Sequence, residues 1–191
     1  MELVMGLGVI AIFALLYVVG TYNGIVGAKN RVKRSWSDVL VHLQKKLKVL
    51  PALEEKLKEY KEYEGKTLTD IVKLRQMAES LSTSTIDPEN VEKIEAEFKK
   101  VVSGLKVTVE NYPDLKASEL YKSTMKEIVE QQEDISAGIT IYNRNVEDFN
   151  NRLTMFPSSI VNSMFNHEHL LESFNSSTLP VDSEIGFNPK I

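Results

Sequence analysis

LVMGLGVIAIFALLYVVG, residues 3–20, decides the reading of this chain. No charged side chain occurs from Leu3 to Ala28. About 20 apolar residues, within a range of about 17–25, cross the hydrocarbon of a bilayer as a helix. Each leucine, isoleucine, phenylalanine and valine favours insertion by roughly 0.3–0.6 kcal/mol near mid-helix, so the run sums to the order of −3 to −7 kcal/mol. Gly6, Gly8, Ala11 and Ala14 are uncharged and do not cancel that gain. Gly6 and Gly8 are too close together to form a GxxxG pairing face. Tyr17 and Tyr22 fall where an interfacial aromatic belt lies. The expectation is a single transmembrane helix over residues 1–22.

The alternative is a cleaved signal peptide, since Val26-Gly27-Ala28 places small residues where cleavage needs them. Only Met1 and Glu2 precede the apolar run, so the basic leader of a signal peptide is missing. Lysine and arginine then set the orientation. Lys29, Arg31, Lys33 and Arg34 follow the span closely, with Lys45, Lys46 and Lys48 beyond, and nothing basic precedes it. Basic residues within about 15–20 positions of a span stay inside. The short N-terminus is expected outside, and the larger C-terminal part in the cytoplasm, at the cell membrane. A basic cluster there also attracts anionic lipid, by about 1 kcal/mol per residue. A topology signal alone is the plainer reading of Lys29, Arg31, Lys33 and Arg34.

Beyond the span, roughly 165 residues remain, enough for one domain with a core. The formal net charge of −4 gives no footprint for nucleic acid. The absence of cysteine removes disulfides, thiolate chemistry and Cys-ligated zinc.

The rest reads as helix. Trp36, Leu40, Leu43, Leu47, Leu50, Leu53, Leu57 and Tyr60 step by three and four, a helical stripe that keeps its phase across Pro51. Pro51 is therefore read as a bend rather than a break. Asn23-Gly24 reads as a flexible point just past the span, and Gly65 as the end of this first helix. A second helix is capped by Thr67 or Thr69. Asp87-Pro88-Glu89 starts a third, with a cap, a first-turn proline and an acid at the positive end of the dipole. Pro113 closes it. The fourth runs from about Leu120 to Phe156 on a stripe that includes Ile128, Ile135, Ile139, Tyr142, Val146, Phe149 and Leu153, and ends at Pro157. The fold class expected is all-α: an N-terminal transmembrane helix continuing into an elongated antiparallel bundle of long helices, similar to a four-helix bundle. Residues 1–22 form the anchor and 23–157 the bundle. Residues 158–191 hold a short amphipathic piece around Ile160 to Phe165 and a mostly disordered tail from Asn166, rich in serine, asparagine and proline.

Catalytic signals are weak. His42 sits beside the first stripe and reads as a solvent-edge histidine. His167-Glu168-His169 has the wrong spacing for zinc, which wants two histidines one helical turn apart plus a third ligand. There is no GxSxG and no glycine-rich phosphate loop. The carboxylates alternate with lysines at helical spacing, as on a solvated face. No enzyme activity, cofactor, metal, nucleic acid or small-molecule substrate is expected. The candidate interaction or register residues are Trp36, Gln132, Asn143 and Asn150. An amide on a buried stripe must find partners or cost about 1–3 kcal/mol, so such residues fix helix register or line a groove.

Tyr22-Asn23-Gly24-Ile25-Val26, Asn30-Arg31-Val32, Trp36-Ser37-Asp38-Val39, Val41-His42-Leu43 and Leu50-Pro51-Ala52-Leu53 resemble the signature of LemA proteins. So do Tyr112-Pro113-Asp114-Leu115-Lys116-Ala117, Tyr142-Asn143-Arg144-Asn145-Val146 with Phe149-Asn150, and Phe156-Pro157. The resemblance implies one N-terminal transmembrane helix and a soluble helical bundle, and it supplies no enzymatic reaction. It links relatives loosely to envelope maintenance and membrane proteostasis, and one branch to magnetosome membranes. The pattern has an asparagine at the place of Ala52, an acid at Gln132 and an arginine at Ile139. Neither Gln132 nor Ile139 carries a charge, so an ion pair between these two positions is absent from this chain.

The functional expectation is a membrane-anchored, non-enzymatic scaffold. Its partners are the lipid bilayer, through the N-terminal helix, and unidentified membrane or cytoplasmic proteins or further copies of this chain. The alternative is a membrane-organising protein in which the basic stretch Lys29 to Lys48 and the segment Ile160 to Phe165 contact lipid.

Overall fold

A computed structural model describes residues 1–58, 65–79 and 81–175. The chain is all-α, and the described residues contain no strand. Helix α1 (Glu2–Lys48) carries the apolar run without interruption into the polar sequence. It passes straight through Asn23-Gly24, so the expected flexible point is absent there. Glycine costs a helix only about 1 kcal/mol, too little to break one packed on its next turn. A single residue, Val49, separates α1 from α2 (Leu50–Lys58). Pro51 lies in the first turn of α2, where a missing N–H costs least, and this is why the stripe continues through Leu43, Leu47 and Leu50. The expected stripe residues Leu53 and Leu57 are without described side chains, and Tyr60 lies outside the described residues.

Helix α3 (Gly65–Glu79) opens at Gly65, ahead of the expected threonine caps. Helix α4 (Pro88–Asn111) starts as its sequence dictates, with the Asp87 carboxylate accepting from the Asn90 N–H at 3.0 Å. A short α5 (Pro113–Ala117) leads into α6 (Glu119–Thr154). Helix α7 (Ser158–Val161) and a π-helical turn (Asn162–Asn166) follow.

The contacts divide into two compact units. The first comprises residues 1–35 and 141–173, and the second comprises the described residues of 36–140 together with 174 and 175. In the second unit, α3 lies on α4, and Gly138 of α6 meets Val39 of α1 closely. A Cβ at Gly138 would stand 3.2 Å from a Val39 methyl, so glycine sets the helix spacing there. The buried set includes Trp36, Leu40, Leu43, Ile71, Leu74, Ile94, Phe98, Met125, Ile128 and Ile135.

In the first unit, every residue of the apolar stretch up to Tyr17 is exposed. Burial begins at Ile25 and continues through Ala28, Val32 and Ser35, on one helical face. Tyr142, Val146, Phe149 and Leu153 of α6, in the same unit, are buried as well. Phe156, expected on that stripe, is instead 80 % exposed, because α6 ends at Thr154 before reaching it.

The tail departs from expectation. The segment from Asn166 to Asn175 is tied down rather than loose. Within the first unit, the Asn150 amide donates to the Leu171 carbonyl at 2.9 Å and accepts its N–H at 3.0 Å. Tyr142 donates its hydroxyl to the Glu172 carbonyl at 2.8 Å. Asn162 closes the bend by bonding both backbone groups of Glu168. Composition alone reads such a segment as disordered. Its order comes from side chains on a helix far away in sequence, which satisfy its backbone groups. Residues 176–191 of the expected disordered tail lie outside the described residues.

Candidate functional site

Two polar constellations stand out, one in each unit. In the second unit, Lys46 is buried to 1 % exposure among α1, α4 and α6. Its ammonium donates to both Glu95 oxygens, at 3.0 and 2.8 Å, and to the Gln132 carbonyl oxygen. It also sits 3.9 Å above the centre of the Phe98 ring. Burial pushes the Lys46 ammonium below its ordinary value, while the Glu95 carboxylate opposes that shift. The Gln132 Nε2 group is buried without a partner among the described residues. This cluster holds three helices at one level.

Trp36 is also in this unit. Its indole N–H donates to the Ser82 carbonyl at 3.3 Å, and its ring stacks on Phe174 at 6.0 Å. His42 lies 3.3 Å from both the Gln131 amide oxygen and the Asp134 carboxylate, at the edge of the helix pair.

In the first unit the four basic residues of the membrane-proximal cluster have different settings. Lys29 pairs with Glu168 at 2.5 Å and Arg31 with Asp148 at 2.6 Å, while Lys33 and Arg34 are exposed. Asp148 is shared, since the Arg152 Nε lies 3.1 Å from it. Partial burial raises the Asp148 carboxyl, but hydrogen bonds from Arg152 and Arg31 outweigh it and hold the carboxyl below its usual range. Glu168, the centre of the His-Glu-His triplet, is thus taken up by Lys29. Asn150 anchors the tail, as described, and Asn143 is half-buried on the same helix.

Sequence reasoning passed over Lys46, Glu95, Asn145 and Arg152. Lys46 carried a signal: it sits on the stripe Val39, Leu43, Lys46, Leu50, where a lysine must be buried or snorkel. Glu95 similarly lies between Val91 and Phe98 at helical spacing. Asn145, which bonds the Ser35 hydroxyl at 3.1 Å, lies off the apolar stripe and was touched only by the resemblance, as part of Tyr142-Asn143-Arg144-Asn145-Val146.

A family model described as LemA family matches residues 35–181. Protein LemA of Metamycoplasma hominis is 30% identical over 152 residues, 80% of this chain and 68% of that protein. The chain belongs to the LemA family. The matched region starts after the basic residues Lys29 to Arg34 and includes Trp36, Lys46, Glu95, Gln132, Asn143 and Asn150. It also runs through the tethered segment and past Phe174, so the family pattern extends beyond Pro157. The resemblance placed an acid at position 132. In this LemA-family chain the carboxylate facing Lys46 comes from Glu95, and Gln132 supplies a neutral acceptor.

The N-terminal helix of this chain is long and apolar enough to cross a membrane. Its apolar window has a mean hydropathy of 2.6 and none of it is buried inside the protein.

Proposed function

We propose that this LemA-family chain is a membrane-anchored, non-enzymatic helical scaffold in envelope or membrane-protein maintenance. The observation that carries this reading is the unbroken α1, which leads from the exposed apolar run directly into buried positions at Ile25, Ala28 and Val32. A span joined to packed helix without a linker transmits position stiffly from the bilayer. Ala28 is fully buried within the helix, which argues against cleavage after Val26-Gly27-Ala28.

The test uses photo-crosslinking residues at Val72 and Val107, both exposed. In intact cells a scaffold gives discrete adducts with membrane or cytoplasmic proteins, or with a second copy. Absence of any adduct at both positions overturns the reading. Orientation is tested separately. Protease added to intact cells is expected to leave the C-terminal part whole and to cut it only after lysis. Cleavage in intact cells reverses the orientation.

A second reading is favoured by one specific feature. Met155, Phe156, Ile160, Met164 and Phe165 are all exposed at the end of the first unit. No Asp or Glu occurs between Phe149 and His167. An exposed apolar cluster free of acid suits a lipid interface, so this end contacts the bilayer in the membrane-organising reading.

A further inference from the structure

A groove of about 410 Å³ opens in the first unit, between the end of the apolar run and the end of α6. Leu16, Tyr17, Gly20 and Ile25 supply its apolar wall, with Arg152 and Ser158 opposite. The pairing of α1 with α6 fixes its level. Asn145 meets Ser35, Asp148 meets Arg31, and Arg152 meets Gly24, so α6 descends toward the span as α1 leaves it. Gly24 lies about 6 Å beyond Gly20 along the helix axis. The headgroup layer is roughly 5–7 Å deep on each side of the hydrocarbon. With the hydrocarbon boundary taken at Gly20, where the apolar run ends, the Arg152 guanidinium falls within the headgroup layer.

The charges there do not balance. Arg31 and Arg152 share the one carboxylate of Asp148, which leaves the triad with an excess positive charge. Among the described residues Arg152 bonds only through Nε, so both terminal nitrogens remain to donate. Gly24 makes room for them, since a Cβ there would lie 3.3 Å from Nη1. Thr21 and Ser158 bring hydroxyls to the same groove. A fork of N–H donors beside hydroxyls matches a phosphodiester, and the apolar wall matches the acyl chains below it.

We propose that this groove binds one anionic phospholipid from the leaflet into which α1 emerges, with Arg152 holding its phosphate. This rests on the lipid-contact reading above.

The experiment uses the full chain and two readouts. The first is a polarity-sensitive probe on Ile160→Cys, which is unique because the chain has no native cysteine. In bilayers of phosphatidylcholine with phosphatidylglycerol the probe is expected to report an apolar setting. The second is retention of added phosphatidylglycerol or phosphatidylcholine by the detergent-purified protein, read by native mass spectrometry. The wild type retains phosphatidylglycerol preferentially. Arg152→Gln lowers that retention about tenfold, the loss of one charge-assisted contact. Arg152→Lys loses less. Gly24→Leu fills the groove with the charge intact and also lowers retention, which guards against a folding defect peculiar to Arg152→Gln. Equal retention of both lipids by the wild type overturns the proposal. So does displacement of the lipid by millimolar inorganic phosphate, which would mark a site for the free anion. A probe that stays in water sinks the lipid-contact reading and the groove with it. A probe in the bilayer, with Arg152→Gln and Gly24→Leu retaining lipid as the wild type does, sinks the groove alone.

Discussion

Lys46→Ala is expected to destabilise the chain by about 3–5 kcal/mol, the cost of breaking a buried ion pair by removing one partner. The Glu95 carboxylate would lose its counter-charge in a nearly closed setting, where its side chain is 11 % exposed. The Gln132 amide oxygen would lose its donor, and its Nε2 group already has none among the described residues. The measurement is denaturant unfolding of the full chain in detergent, followed by helical signal. A loss under about 1 kcal/mol would place Lys46 in the class of exposed pairs and contradict its burial.

The same cluster predicts an asymmetry. Exchanging a buried charged set for apolar residues of similar volume is neutral or stabilising by about 1–4 kcal/mol. The fair comparison is Lys46→Met with Glu95→Leu and Gln132→Leu together, since any partial change strands a polar group at about 1–3 kcal/mol. That triple variant is expected to recover wild-type stability. The pH response follows as well. Burial holds Lys46 below its ordinary 10.5, so between the lowered folded value and 10.5 the folded chain holds fewer protons here than the unfolded chain. Stability from this group therefore rises with pH through that window. Measured as wild type minus Lys46→Met, the difference moves in favour of the wild type as pH climbs toward 10.5.

The apolar N-terminal helix and the helices after it were legible because each rests on a local pattern. Eighteen residues of uncharged, apolar sequence declare a long apolar helix, and the Asp87-Pro88-Glu89 start declares itself in three residues. Trp36 and Gln132 were legible as stripe residues. Their partners were not, because Ser82 and Phe174 reach Trp36, and Lys46 reaches Gln132, only through tertiary packing. The basic residues Lys29 and Arg31 looked like neighbours of Lys33 and Arg34. Helical rotation separates them, so two meet carboxylates from α6 and the tail while two face solvent. The tail was hidden for a related reason. Its own residues offer little to bury, and it is ordered by Asn150, Tyr142 and Asn162 bonding its backbone.

Trp36→Ala is expected to cost about 3–5 kcal/mol, as for a large aromatic side chain removed from a packed core. Trp36 is among the largest fully buried side chains and packs in the second unit against Phe174. The rings lie 6.0 Å apart and 24° from parallel, within the range where aromatic pairs add about 0.5–1.5 kcal/mol beyond burial. Phe174→Ala should therefore cost a comparable amount, although it lies in a stretch whose composition reads as disordered. A double-mutant cycle separates the ring contact from burial: the two losses are expected to be less than additive by about 0.5–1.5 kcal/mol. Trp36→Phe keeps an aromatic ring and loses the bond to the Ser82 carbonyl, so it should cost less than alanine, with about 1 kcal/mol traceable to that bond. If Phe174→Ala unfolds no more readily than the wild type, residue 174 is not part of the core. In that case the order of the tail would rest on its polar ties, among them the bonds from Asn150 and Tyr142 that hold Leu171 and Glu172 in the first unit, and not on the ring contact.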